Sequence, residues 1–210
     1  WLGKAYWRSR AIVGQLQRDG IEVYHGLSGE LPVGIGRTAI RSVVTIHDLI
    51  FMRHPEYYHT LDRKIYEWKF RVACREAERI IAISERTKQD IMELGGVSAD
   101  RIDIIYQSCS PRFAEKVSRQ QMETVRSRYG LTGRLVLSVG SIEERKNIRL
   151  AVQALHHLPE DVHLVAVGRQ TGYSRKVLKE AGKNGVGVRV HFLHGVTDDD
   201  LQALYQMAEA

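Results

Sequence analysis

The sequence contains little cysteine and no long hydrophobic segment. Of its 210 residues only Cys74 and Cys109 are cysteines, which excludes a small fold held together by disulfides and suits a reducing compartment. The longest apolar runs, such as Leu135–Val139, have the length of a β-strand and fall far short of the roughly 20 residues that cross a bilayer. The first residues lack the apolar stretch of a signal peptide. We therefore expect a soluble, intracellular protein.

Long runs of one charge are also absent. The 31 Lys and Arg residues exceed the 25 Asp and Glu residues, which gives a net charge of +6, but the basic residues form no polybasic tail. No zinc-finger or RNA-recognition signature is present. The charge favours an anionic ligand, and it leaves a phosphorylated metabolite, an anionic lipid, a nucleic acid or a merely soluble basic surface open.

The chain does contain a regular alternation of strand-like and helix-like segments. Short runs rich in Val and Ile predict strands, and the segments between most of them have helical spacing. The predicted strands are Ile21–His25, Ser42–His47, Arg79–Ser84, Arg101–Tyr106, Arg134–Val139, Val162–Val167 and Val188–Phe192. The predicted helices are the first nineteen residues, Leu61–Ala77, Glu85–Leu94, Ser118–Tyr129, Asn147–Leu158, Tyr173–Gly182 and Asp198–Ala208, with Ser84, Ser118 and Thr197 as capping residues. This pattern predicts an α/β fold with parallel sheets covered by helices on both faces.

A break in the pattern divides the chain. Residues 107–113 are rich in turn-forming residues and lack a period, and a new strand-loop-helix-strand unit begins at Arg134. We therefore predict two Rossmann-like lobes, residues 1–111 and residues 112–210.

The loop after the strand Arg134–Val139 is the best candidate for binding an anion. Ligands of open parallel sheets bind beyond the carboxyl ends of the strands. Here Gly140 lets the backbone approach a ligand, Arg145 and Lys146 supply two cations, and a helix begins directly afterwards. These features suit a diphosphate. A solvated turn, in which the two cations pair with Glu143 and Glu144, is an equal alternative.

Two histidines are the last residues of predicted strands. His47 precedes Asp48 at the end of one predicted strand, and His25 closes another. An imidazole there could bind a sugar hydroxyl or transfer a proton, although a histidine with a purely structural role is more common. The pairs His156–His157 and His191–His194 lack a third ligand, so we expect no metal site. Residues 34–39 match a GxGxxA dinucleotide fingerprint by letters, but they lead into a strand instead of a helix, and we reject the match.

Four segments together resemble the group 1 (family 4) retaining glycosyltransferases. Residues 44–49 read VTIHDL and residues 55–58 read PEYY, as in the family's TIHDL and PEYY segment. Residues 81–91 resemble the family's VSxxTKxDI step from a strand into a helix. Residues 139–147 resemble VGTxExRKN, and residues 190–205 resemble VxFLGxVxxxDLxxLY. The four matches stand in the family's order and cover roughly residues 20–208.

The resemblance implies a GT-B fold, with the acceptor on the N-terminal lobe and a nucleotide-diphosphate sugar on the C-terminal lobe. By motif position Arg145 and Lys146 would hold the donor diphosphate, Gly140 would let the backbone come close, and His47 would contact the transferring hexose. Gly168 and the loop around Val196 would lie near the nucleoside. The implied reaction needs no metal ion or other cofactor, because basic groups neutralise the departing diphosphate.

The family's N-terminal glycine-rich loop and its C-terminal two-glutamate segment have no counterpart in this sequence. We therefore expect both lobes to be incomplete and this chain to be inactive by itself. The resemblance favours bacterial enzymes of surface polysaccharide synthesis that use a mannosyl donor and a saccharide or lipid-linked saccharide acceptor. It implies a cytoplasmic location, with contact to the inner face of the plasma membrane as an option. It implies no nucleic-acid partner.

Two alternatives stay open. A nucleotide-sugar epimerase would share the GT-B fold and differ in its product. A non-enzymatic basic module would bind anions or a membrane, for example through the first helix, where Trp1 and Trp7 stand among cations.

Overall fold

The computed structural model describes residue 3 and residues 6–210. The chain divides into two compact units, Trp1–Ser108 and Cys109–Ala210, three residues before the predicted boundary. Each unit is a parallel β-sheet covered by helices. The predicted fold class, two Rossmann-like lobes of the GT-B type with parallel sheets, is confirmed.

In the described part of unit 1, strands β1 to β4 lie side by side in chain order and are all parallel. Their inward side chains, such as Val44 and Ile80, are fully buried in one hydrophobic cluster. The strands are β1 (Val23–Gly26), β2 (Arg41–Ile46), β3 (Arg79–Ala82) and β4 (Ile102–Ile104). The helices are α1 (Ile12–Arg18), α2 (Ile50–Arg53), α3 (Thr60–Glu76) and α4 (Glu85–Gly95).

Unit 2 repeats the arrangement with β5, β6 and β7, again parallel and in chain order. The strands are β5 (Arg134–Val139), β6 (Val162–Val167) and β7 (Val190–Leu193). The helices are α5 (Arg119–Tyr129), α6 (Ile148–Ala154), α7 (Gly172–Lys183) and α8 (Asp198–Met207).

Strand β6 is covered on both faces. Leu164 and Ala166 pack in the cluster that includes residues of α6 and α7, whereas Val165 and Val167 pack in the cluster that includes residues of α5 and α8. Successive side chains of a strand point to opposite faces, so a continuous apolar run is what a strand between two helical layers requires.

The order in which strands are added to the sheet reverses at β5. After α8, Glu209 N–H donates to the Leu135 carbonyl (2.8 Å) and Leu137 N–H donates to the Ala210 carbonyl (2.7 Å). Residues 208–210 therefore run parallel to β5, and β6 pairs with the other edge of β5. In an open α/β sheet such a reversal opens a ligand crevice at the carboxyl ends of the strands.

The sequence predictions differ from the structure mainly at element ends. The three predicted capping residues are confirmed, since Ser84, Ser118 and Thr197 each accept a backbone N–H of the following helix. The predicted helix Asn147–Leu158 is shorter, because Asn147 adopts a left-handed conformation (φ 49°), α6 ends at Ala154 and a 3-10 turn follows. In the first segment a π-helical turn, Trp7–Ala11, precedes α1; Trp1, Leu2, Lys4 and Ala5 lie outside the described residues.

Candidate functional site

The loop after β5 brings Lys146 back over Gly140. Gly140 has φ 141°, a conformation that side chains disfavour, and a β-carbon there would lie 3.0 Å from Lys146 Nζ. The ammonium group therefore lies beside the backbone at the end of the strand. The intervening Glu144–Lys146 forms a 3-10 turn that ends at Asn147.

Gly168 allows the loop after β6 to pass directly under this loop. A β-carbon on Gly168 would overlap the Gly140 carbonyl oxygen and would lie 2.5 Å from the Gly140 carbonyl carbon. Gly140 N–H donates to the Val167 carbonyl (2.8 Å) and Ile142 N–H donates to the Arg169 carbonyl (3.1 Å). The two predicted glycines thus form one close backbone contact at the strand ends.

Three cations and one carboxylate surround this contact. Glu143 lies between Arg145 and Arg169, at 3.7 Å and 4.0 Å from their guanidinium nitrogens. Among the described residues, Lys146 has no carboxylate within 4.0 Å. The alternative of a self-neutralised turn therefore holds for Arg145 in part and does not hold for Lys146. Glu143 and Glu144 balance Arg145 and Lys146 in formal charge, and Arg169 adds one positive charge from the neighbouring loop.

A pocket of about 580 Å³ lies next to the glycine contact. It places Gly168 and Val196, both predicted near a nucleoside, around one space. The Gln170 amide spans its rim, donating to the Phe192 carbonyl (3.1 Å) and lying 3.5 Å from His194 Nδ1. The lining residues are Val167, Gly168, Arg169, Gln170, His194, Gly195 and Val196.

Sequence reasoning missed Arg169 and Gln170. Neither belongs to a recognisable motif, and both acquire their place only because β6 pairs with β5 and β7. Their position directly after a buried parallel strand was the one available signal.

In unit 1, His47 is exposed at the end of β2 and both of its ring nitrogens have partners. Nε2 lies 2.9 Å from the Leu27 carbonyl, so it donates, and Nδ1 accepts from the Gln107 amide (3.2 Å). With Nε2 as the donor, Nδ1 is the acceptor of the two ring nitrogens.

His47 also lines a pocket of about 320 Å³ in unit 1. Its lining includes the polar side chain of Glu30, which pairs with Arg8 and with Lys69 (2.6 Å), and the rings of Phe51 and Tyr66. His25 does not line this pocket; its Nε2 lies 2.8 Å from the Thr45 hydroxyl.

Two histidines of unit 2, His163 and His191, contact each other. His191 Nε2 lies 3.0 Å from His163 Nδ1, and the two rings stack on neighbouring strands. Within residue 3 and residues 6–210, no group of three or more His, Cys, Asp or Glu side chains is placed to hold a metal ion. The same part of the chain contains no helix that is long and apolar enough to cross a membrane.

Comparison with known families decides the relationship that the motifs suggested. The sequence model of Glycosyltransferase Family 4 matches residues 2–111, and that of Glycosyl transferases group 1 matches residues 122–210. The chain belongs to the group 1, family 4 glycosyltransferases.

Curated relatives in this family include two Escherichia coli proteins. O-antigen chain mannosyltransferase B is 30% identical over 192 residues, which cover 89% of this chain and 49% of that protein. The serotype-specific mannosyltransferase WbdA is 28% identical over 200 residues, which cover 90% of this chain and 24% of that protein. The chain therefore spans about half the length of one of these glycosyltransferases and about a quarter of the other.

Solved glycosyltransferase structures share the fold. WaaG, a glycosyltransferase involved in lipopolysaccharide biosynthesis, superposes with a TM-score of 0.71 at 21% identity, covering 94% of this chain and 54% of WaaG. Anabaena HepE in complex with UDP-glucose gives a TM-score of 0.63 at 20% identity, covering 80% of this chain and 45% of HepE.

Proposed function

We propose that unit 2 holds the diphosphate of a nucleotide-diphosphate sugar at the Gly140–Lys146 loop. The observation that carries this proposal is the position of Lys146 Nζ beside Gly140, without a carboxylate partner among the described residues. A diphosphate oxygen next to that glycine would contact the ammonium group, and Arg145 and Arg169 extend the positive charge on the same loops.

Gly140 gives the phosphates access to the backbone. Because it has no β-carbon, an anion can approach the end of β5 beside Lys146 without meeting a side chain there. Gly168 contributes indirectly, by letting the loop after β6 contact the Gly140 backbone. The reversal of strand order at β5 puts a crevice at the carboxyl ends of these strands. The pocket beside Gly168 and Val196 would then hold the nucleoside, with Gln170 and His194 as its polar side chains.

The same cations would serve the reaction. When the bond from the sugar to the diphosphate breaks, negative charge grows on the departing phosphate, and fixed positive groups that lie next to it stabilise the transition state. Lys146, Arg145 and Arg169 supply such charge through side chains. We therefore propose a transfer that needs no metal ion. Activity measured in the presence of EDTA tests this proposal, and we expect it to persist.

We propose that the sugar is a hexose, with mannose favoured because both curated relatives described above are named mannosyltransferases. The proposed acceptor is a saccharide or a lipid-linked saccharide, and the proposed stereochemical course is retention. Retention would follow from attack on the same face of an oxocarbenium-like sugar, with the departing phosphate accepting the proton of the acceptor hydroxyl.

His47 is the proposed contact to the hexose. Its exposed ring already donates from Nε2 to a carbonyl, so Nδ1, which accepts from the Gln107 amide, is the nitrogen that a sugar hydroxyl would bind by replacing that amide. A His47→Gln variant tests the contact. It should raise the KM for the donor more than a Gln107→Ala variant does.

The activity is tested on the longest natural chain that contains these residues. Incubation with GDP-mannose, UDP-glucose and ADP-glucose should release one nucleoside diphosphate in the presence of a saccharide acceptor. The glycoside should have the donor's anomeric configuration by NMR. An isomerised sugar nucleotide without a glycoside would indicate an epimerase instead. A glycoside with the inverted anomeric configuration would contradict the proposed retention and would leave the proposed transfer unaffected.

A further inference from the structure

Asn147 has a backbone conformation that residues with a β-carbon rarely adopt. Its φ of 49° and ψ of 37° are left-handed values, which asparagine tolerates better than most residues. Every other described residue with a positive φ is a glycine. Such a conformation persists only where the surrounding structure requires it, and residues that have it concentrate at binding sites.

The side chain of Asn147 does not explain this conformation. It caps no backbone N–H of α6, and the residue is exposed. Among the described residues the side chain has no hydrogen-bond partner. The requirement at this position therefore concerns the direction of the backbone.

The backbone bends at Asn147 between two helical turns. Before the bend, Asn147 N–H donates to the Glu144 carbonyl (3.0 Å) and closes the 3-10 turn Glu144–Lys146. After the bend, the Asn147 carbonyl accepts the Leu150 N–H (2.9 Å) in the first turn of α6. A right-handed residue would let the first turn continue into α6, whereas the left-handed residue gives the two turns different directions.

Buried isoleucines anchor both ends of this loop. Ile142 and Ile148 are 2% and 5% exposed and belong to one hydrophobic cluster. Ile142 is also held by the loop after β6, since its N–H donates to the Arg169 carbonyl (3.1 Å) and its carbonyl accepts the Thr171 hydroxyl (2.6 Å). A change of backbone conformation at residue 147 would therefore be taken up between these anchors, where Lys146 lies.

We propose that Asn147 is a positioning residue of the diphosphate loop, because its left-handed backbone holds Lys146 Nζ beside Gly140. The identity of the ligand rests on the proposed function, whereas the position of the ammonium group is a property of unit 2 alone. A residue that disfavours the left-handed conformation would leave only a fraction of the molecules with Lys146 in place. The apparent affinity for the diphosphate falls in proportion to that fraction.

Three substitutions at residue 147 separate a backbone requirement from a side-chain contact. Asn147→Gly should bind GDP, UDP or ADP, whichever the unmodified chain binds, as tightly as the unmodified chain, because glycine adopts left-handed values freely. Asn147→Ala should bind about fivefold more weakly and Asn147→Val about 30-fold more weakly by isothermal titration calorimetry.

The order of these three variants is diagnostic. Loss of a side-chain contact would weaken Asn147→Gly and Asn147→Ala alike. A requirement for helix formation would favour alanine over glycine. Only a requirement for the left-handed backbone makes glycine the best substitute and valine the worst.

Asn184 is the matched control. It is the other asparagine of the chain, it is exposed, and it ends α7 with a φ of −90°, a value that residues with a β-carbon adopt. Asn184→Ala and Asn184→Val should leave the affinity unchanged. Circular dichroism at the temperature of the titration should report a folded chain for every variant, so that a difference in affinity is not a difference in folded fraction.

The position of Lys146 can also be measured without a nucleotide. Lys146 Cε would lie 3.7 Å from a β-carbon on Gly140, so the free chain should show a nuclear Overhauser effect between the Lys146 ε-methylene protons and the Gly140 α-protons. This signal should persist in Asn147→Gly and in Asn184→Val, and it should be lost in Asn147→Val.

Two results would overturn the positioning role. Persistence of the Overhauser signal in Asn147→Val would show that Lys146 reaches Gly140 without the left-handed residue. Equal weakening in Asn147→Gly and Asn147→Ala would show that the side chain is what matters. Absence of nucleotide binding by the unmodified chain, with the expected Overhauser signals in all variants, would instead contradict the proposed function and support the positioning of Lys146 by Asn147.

Discussion

Gly168 passes so close to Gly140 that a β-carbon on Gly168 would overlap the Gly140 carbonyl oxygen. The neighbouring Ser141 nitrogen would lie 3.2 Å from the same carbon. The backbones after β5 and β6 can therefore keep their present separation only while residue 168 is glycine. The same contact brings the Lys146 loop and the pocket beside Val196 together within unit 2.

A Gly168→Ala substitution should force these loops apart. Inserting a methyl group into a closely packed contact costs about 1–3 kcal/mol, so the free energy of unfolding should fall by that amount, as measured by urea denaturation. Gly182→Ala is the matched control, because a β-carbon there meets nothing within 4 Å and alanine favours a helix interior by up to about 1 kcal/mol. Equal stability of Gly168→Ala and the unmodified chain would contradict the contact.

Asp200 stabilises unit 2 at the start of α8. Burial raises the pKa of this carboxyl, but hydrogen bonds from the Tyr129 hydroxyl (2.7 Å) and the Arg128 guanidinium (2.6 and 2.7 Å) more than offset it, so the pKa lies below its ordinary value. A carboxyl whose pKa is lower in the folded chain than in the unfolded chain contributes stability above its ordinary pKa of about 3.9, and that contribution is lost as the pH falls through the folded value.

Asp200→Asn should therefore lower the free energy of unfolding by about 1–2 kcal/mol near neutral pH and reduce its loss between pH 5 and pH 3. Chemical denaturation at several pH values measures both effects. Asp198→Asn is the control, since Asp198 lies in the same helical turn with an exposed side chain, and its effect should stay within about 0.5 kcal/mol. If both variants behaved alike, the buried network would not be a source of stability.

The stacked pair His163 and His191 should make unit 2 sensitive to mild acid. Burial lowers the pKa of both imidazoles; Arg189 lowers that of His163 further, and His163 lowers that of His191. Asp161 opposes the shift of His163 in part. An imidazole whose folded pKa is depressed favours folding above its unfolded pKa of about 6.5, and this contribution is lost as the pH falls below that value.

The melting temperature should consequently fall between pH 7.5 and pH 5.5, and the variant His163→Gln, His191→Gln should show a smaller fall. His156→Gln, which alters an exposed histidine, should keep the fall of the unmodified chain. A double variant that loses as much stability as the unmodified chain over this pH range would show that the pair does not titrate as described.

The two cysteines should react at very different rates. Burial raises the pKa of the Cys74 thiol to about 11, whereas Cys109 is exposed. Because the thiolate is the reactive form, iodoacetamide at pH 8 should label Cys109 alone in the folded chain and both residues in guanidinium chloride. Peptide mass spectrometry gives the answer, and rapid labelling of Cys74 without denaturant would contradict its burial.

The positions of β5 and β6 were accessible from the sequence because both strands consist mostly of apolar residues between helical layers. Both strands have the predicted bounds. The edge strand β1 begins at Val23, two residues after the predicted start, because its first backbone pairing is with Arg41. Such pairing depends on distant residues. Helix α2 is a single turn, too short for a period to be read.

The candidate site was accessible only in part, for the same physical reason. Gly140, Arg145 and Lys146 belong to one local motif. Because this motif directly follows a strand, the sequence also predicts that it lies at the carboxyl end of the sheet. The requirement for glycine at 168 comes from a carbonyl 28 positions earlier, and Arg169 faces Glu143 across two loops. Contacts of this kind have no local signal in a sequence without aligned relatives. The roles assigned to Gly140, Arg145, Lys146, Gly168, Val196 and His47 remain proposals.

Nucleoside diphosphate binding tests the central claim most directly. Isothermal titration calorimetry of this chain with GDP, UDP and ADP should give binding by at least one of them, loss of that binding in Lys146→Ala, and unchanged binding in Lys176→Ala. This pattern would assign the diphosphate to the loop after β5. Binding that Lys146→Ala leaves intact, or no binding by this chain and by the longest natural chain that contains it, would contradict the assignment.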